Sequence, residues 1–100
     1  MSETIGQKLT DDFLDGFEVT DLMYGGKTGI QFKKEGMHDV NTHYTADLSR
    51  HVSVSYWKNM DIVVIEREDD GYGNDVGLTR KEAYNLFLVL NALFGLTIVP

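Results

Sequence analysis

The chain predicts an α+β fold: an antiparallel sheet of about five strands, with a short N-terminal helix and one long C-terminal helix packed on one face. Three observations predict it. Short segments of apolar–polar alternation follow one another between residues 17 and 67. No helical segment separates them, which is the order of an α+β domain and not of βαβ units. Residues 79–95 then carry a full set of helix start and stop signals.

Residues 1–8 lack periodicity and are expected to form a flexible N-terminus, with residues 9–100 making a single α+β domain. Thr10, Asp11 and Asp12 offer a cap and first-turn carboxylates ahead of Phe13 and Leu14, so one or two helical turns are expected there, ended by Gly16. Phe17 to Tyr24 is a first strand of imperfect alternation, Gly25-Gly26 a turn, and Thr28 to Lys34 a second strand with Ile30 and Phe32 on one side. Val40 to Leu48 is the most regular alternation, carrying Val40, Thr42, Tyr44, Ala46 and Leu48 on one face. Val52–Trp57 and Asp61–Arg67 flank a short polar connection and suit a hairpin, the second being apolar on both sides as a central strand should be. Glu68 to Asp75 is polar and glycine-rich and is expected to be a loop. Leu96 to Val99 is expected to add a last short strand.

The long helix is the best specified element. Thr79 and Glu82 form the T-x-x-E capping box, in which the hydroxyl accepts from the Glu82 amide and the carboxylate from the Thr79 amide. Gly95 stands where a left-handed residue ends a helix. On a period of 3.6 residues, Ala83, Leu86, Phe87, Leu90, Leu93 and Phe94 share a broad stripe, the expected core face. The reverse side is also apolar, because Tyr84, Leu88, Val89 and Ala92 interleave with Lys81, Asn85 and Asn91. Another segment of the chain, a second copy or a different protein should cover it.

Composition narrows the functions. The 100 residues contain no cysteine, which removes disulfides and thiolate metal sites. No apolar run approaches the ~20 residues that span a bilayer, and Met1 to Thr4 lacks the start of a secretory signal, so a cytoplasmic location is expected. Sixteen acidic residues against nine basic give a net charge of −7, which repels phosphate backbones and anionic lipid, so neither direct nucleic-acid nor membrane binding is expected. The acid is concentrated in residues 1–26 and 61–82, while residues 27–60 are net positive.

Chemical motifs fail on spacing. Gly26-Lys27-Thr28 echoes the end of a phosphate loop, but the glycine required five residues earlier is Asp21. Gly71 and Gly73 could open a dinucleotide fingerprint, but its third glycine position is Val76. A calcium loop begun at Asp69 or Asp70 would put Arg80 or Lys81 at the bidentate glutamate position. His38, His43 and His51 could form a site only by folding together, and Ser53 and Ser55 lie in a strand without nucleophile-elbow glycines. Tyr24, Tyr44, Tyr56 and Trp57 lack the basic partners of a nucleic-acid platform. No catalytic residue, cofactor or metal is therefore expected.

The sequence thus points to a small acidic, non-enzymatic protein-binding module, a regulator or inhibitor of the phage or mobile-element type that acts by surface occlusion. Its contacts are expected at Tyr84, Leu88, Val89 and Ala92 on the helix, which would face a protein partner or a second copy in a homodimer. A second contact is expected at Asp69, Asp70, Tyr72 and Asp75, which would face a basic surface. Two other readings stand beside it: an acidic nucleic-acid mimic that binds a DNA-handling protein, and a small-ligand or metal-binding domain using the histidines.

Overall fold

A computed structural model of the chain describes residues 12–95. The fold is α+β: a five-stranded antiparallel sheet, a two-stranded sheet and one C-terminal helix. In chain order these are β1 (Glu18–Thr20), β2 (Lys27–Gln31), β3 (Lys33–Glu35), β4 (His43–Asp47), β5 (Val52–Trp57), β6 (Ile62–Asp69), β7 (Tyr72–Thr79) and α1 (Arg80–Phe94). The short N-terminal helix is a single 3-10 turn, Asp12–Leu14, among the described residues. The flexible segment expected at residues 1–8 and the strand expected at Leu96 to Val99 lie outside the described residues.

The first hairpin does not join the main sheet. β1 and β2 pair with each other, with a register irregularity where the Gly29 amide donates to Glu18 Oε2 and the Thr28 hydroxyl to the Val19 carbonyl. The main sheet runs β3-β4-β5-β6-β7, each strand beside its sequence neighbour. Val40, expected in a strand, sits instead in a 3-10 turn, Asp39–Asn41, and β4 begins three residues later. The Asn41 side chain accepts from the His38 amide there and competes with ladder pairing.

The largest departure is β7. Of the residues expected as a polar loop, Glu68 and Asp69 end β6 and Tyr72 to Asp75 begin the eight-residue β7, because Asp70 (φ 51°) and Gly71 (φ 83°) make a two-residue turn with both residues left-handed. That is the type I′ geometry an Asp-Gly pair favours, and its twist matches that of the flanking strands. β6 and β7 stay in register from Asp69↔Tyr72 to Ile62↔Thr79.

Strand alternation sorts the side chains onto two faces. One carries Tyr44 and Ala46 of β4, Val54 and Tyr56 of β5, Val63 and Ile65 of β6, and Val76 and Leu78 of β7. Leu14, Tyr44 and Tyr56 form its buried centre, with Phe32 and Val63 packed against them. The 3-10 turn and the segment after β2 therefore seal this face over β4 and β5. Among the described residues α1 packs chiefly against β7 and β6, at the far side of the sheet. Among the described residues no helix is long and apolar enough to cross a membrane.

Candidate functional site

α1 begins and ends as its residues dictate. Thr79 Oγ1 accepts from the Glu82 amide at 3.2 Å, Glu82 Oε1 accepts from the Thr79 amide at 2.9 Å, and Gly95 (φ 70°) turns its amide to the Ala92 carbonyl. Arg80 holds the first turn to the sheet through Asp61 at 2.7 Å. Tyr84 is half-buried against Phe87, whereas Leu88 (43% exposed), Val89 (54%) and Ala92 face solvent. The expected core stripe is corrected by the structure: Ala83 and Leu86 are partly covered, Phe87 (37% exposed) and Leu90 (42%) keep a little over half of their surface covered, and Leu93 (74%) and Phe94 (65%) are largely open. Leu14 and Phe32 occupy the sheet face over β4 and β5, and the helix packs mainly on the last two strands.

The second expected group is split by the β6–β7 hairpin. Asp69 is engaged by Arg67 Nε at 2.7 Å and by His51 Nδ1 at 3.4 Å, and Asp70 occupies the turn. Tyr72 projects with 81% of its surface exposed. Asp75 is three residues further along β7, so its side chain leaves the opposite face of the sheet from that of Tyr72. One flat partner surface cannot take both. A loop over residues 68–75 would not show this separation; the Asp-Gly pair flanked by strand residues is the sequence signal for it.

The sheet face opposite the core is open. Cross-strand register arranges it in rows: Glu35, His43, Trp57, Ile62 and Thr79; then Lys33, Thr45, Ser55, Val64 and Gly77; then Asp47, Ser53, Glu66 and Asp75. A shallow basin of about 370 Å³ lies over them, and no residue of α1 lines it. His43 stacks on Trp57 with ring centres 4.0 Å apart and an interplanar angle of 12°. Its Nδ1 lies 2.8 Å from the Asn41 carbonyl and its Nε2 3.3 Å from Glu35. Thr45 and Ser55 hydroxyls bond each other at 3.0 Å. Among the described residues no imidazole reaches a serine hydroxyl, the arrangement a nucleophilic serine would need.

The histidines do not converge. His43 is opposite Trp57 and His51 precedes β5 at its other end, a separation along the strand of about 20 Å at 3.3 Å per residue. No group of three or more potential metal ligands forms among the described residues. The most perturbed titratable groups form a structural clasp: Tyr56 donates to Asp61 Oδ1 at 2.7 Å, and Arg80 forks onto both Asp61 oxygens. Burial, reinforced by the adjacent Asp61, pushes the Tyr56 phenol up to about 12. Hydrogen bonds from Arg80 and then Tyr56 lower the Asp61 carboxyl below its ordinary value. The clasp ties the start of α1 to the β5–β6 turn, where Asp61 itself is left-handed (φ 52°). Comparison with protein-family models, curated proteins and solved structures finds no match to this chain.

Proposed function

We propose that the chain is a non-enzymatic protein-binding module, a small acidic regulator that occludes a surface of its partner, with α1 as the contact element. One observation carries this reading: residues 83–94 hold no charge, and Phe87, Leu88, Val89 and Leu90 are all solvent-exposed. At 100° per residue those four positions sweep about 300° of the helix circumference. Flat pairing of two helices covers one stripe, whereas an apolar groove wraps several flanks, so the partner that fits is another protein presenting such a groove. Exposed apolar surface of this extent is the usual mark of an interaction site.

A photo-crosslinking residue at position 88, with one at Tyr24 in the β1–β2 turn as control, tests the reading in cells of the native host. The expected outcome is crosslinking of one partner at 88 and not at 24, abolished by Val89→Asp with Leu93→Asp. The double variant should keep the parent's stability to within about 0.5 kcal/mol, as exposed positions do. A loss of several kcal/mol from these substitutions would mean the helix is covered by its own chain, and the proposal would fail.

A further inference from the structure

We propose that the outer edge of β7 receives an extended, basic segment of a partner protein as a sixth strand of the sheet. This surface is separate from the apolar flanks of α1 and does not depend on them. Among the described residues β7 ends the strand order, is eight residues long without a register break, and is exposed at every residue but Leu78. The opposite edge, β3, is three residues long and presents Lys33 and Lys34, the usual protection against unwanted pairing. β7 has no lysine, no proline and no bulge.

The hairpin turn fixes which backbone groups are free. In a two-residue turn the flanking pair, Asp69 and Tyr72, exchange both hydrogen bonds, and the inward and outward roles alternate from there. Gly73, Asp75 and Gly77 therefore point their amides and carbonyls away from β6, while the Thr79 amide is taken by Glu82. The Glu68 amide, opposite Gly73, turns the other way and donates to the His51 carbonyl at 2.8 Å, as this alternation requires. Neither Gly73 nor Gly77 has a left-handed backbone, and a Cβ at either would meet only ordinary contacts, with Arg67 and Ile62. Among the described residues nothing demands glycine there. Outside the chain, two missing side chains beside Asp75 leave that carboxylate open to long side chains from an incoming strand.

Charge selects the occupant. Side chains of an antiparallel sixth strand at the positions opposite Gly73, Asp75 and Gly77 would lie on the open face, beside Asp75 and the exposed Glu66 and Glu68. These three carboxylates make no ion pair among the described residues. Lysine or arginine at three alternating positions matches them. A second copy does not: the twofold pairing that uses the whole free edge puts Asp75 opposite Asp75 of the other chain.

The probe is the capped peptide Thr-Lys-Val-Lys-Val-Lys-Thr, titrated into isotopically labelled protein. We expect shifts and at least about tenfold slower hydrogen exchange at the Gly73, Asp75 and Gly77 amides. N-methylation of the central lysine should abolish binding, because its amide faces the edge, while N-methylation of a valine should be tolerated. Asp75→Lys, with an unchanged fold fingerprint, should weaken binding at least about tenfold. The Leu88→Asp variant should bind as the parent does, so failure of the α1 reading and failure of this one are distinguishable. The proposal is overturned by no binding at about 2 mM peptide, by equal binding of the peptide with glutamate in place of lysine, by perturbations centred elsewhere, or by peptide-free protection of the edge that grows with protein concentration.

Discussion

Tyr56→Phe isolates the clasp that fixes α1 to the sheet. Phenylalanine keeps the ring packed against Leu14 and Tyr44 and removes only the hydroxyl, which donates to Asp61 at 2.7 Å and lies 3.4 Å from Arg80 Nη2. A hydrogen bond to a charged group contributes about 1.5–3 kcal/mol, and with Asp61 48% exposed water replaces part of it, leaving about 1–2 kcal/mol. At an unfolding entropy of about 0.2 kcal/mol/K for a chain of this length, the melting temperature should fall by about 5–10 °C. Alkaline titration supplies an independent readout. The free phenol ionises near pH 10 and the folded one near 12, so the Tyr56 contribution is complete below pH 10. As pH rises from 10 to 12 the unfolded chain gives up a proton that the folded chain keeps, and stability falls by at most about 3 kcal/mol. Urea unfolding followed by circular dichroism at pH 7 and across this window measures both effects. The reasoning is refuted if the variant unfolds at the same urea concentration at pH 7, or if parent and variant lose stability equally between pH 10 and 12.

Two further substitutions probe the parts of the fold that position these surfaces. Leu14→Ala empties the buried contact with Tyr44 and Tyr56 and should cost about 2–4 kcal/mol in urea unfolding; a cost under about 1 kcal/mol would show that the 3-10 turn does not seal the core. Gly36→Ala places a Cβ onto the Asn41 carbonyl at a left-handed backbone (φ 93°), and should cost more than about 2 kcal/mol by thermal unfolding. Gly26→Ala shares the left-handed backbone (φ 87°) without the clash and should cost about 1 kcal/mol, so equal losses at the two positions would remove the steric argument.

The two proposals, one on the flanks of α1 and one on the outer edge of β7, would require different partner chemistry. The first takes a dry apolar groove, in which area and shape dominate. The second takes a hydrogen-bonding backbone and long cations, and its affinity should weaken with salt. Taken together, the two proposals imply one partner protein whose apolar groove is bordered by a basic extended segment.

What the residues determined alone is what short-range hydrogen bonding controls. Thr79, Glu82 and Gly95 set both ends of α1, because a cap and a left-handed stop act within a few residues of the backbone they satisfy. The alternation of Tyr44 and Ala46 against His43 and Thr45 likewise placed the core face of β4. Tertiary structure decided the rest, because burial is a competition for limited area. Leu14 and Phe32 took the sheet face over β4 and β5, and Leu93 and Phe94, indistinguishable from core residues in sequence, stayed largely open. Pairing of β7 with β6 made an edge of residues expected as an acidic loop, sent Tyr72 and Asp75 to opposite faces, and turned the amides of Gly73, Asp75 and Gly77 away from β6. A strand's unpaired side depends on which neighbour the sheet supplies, and that is settled only when all the strands have assembled.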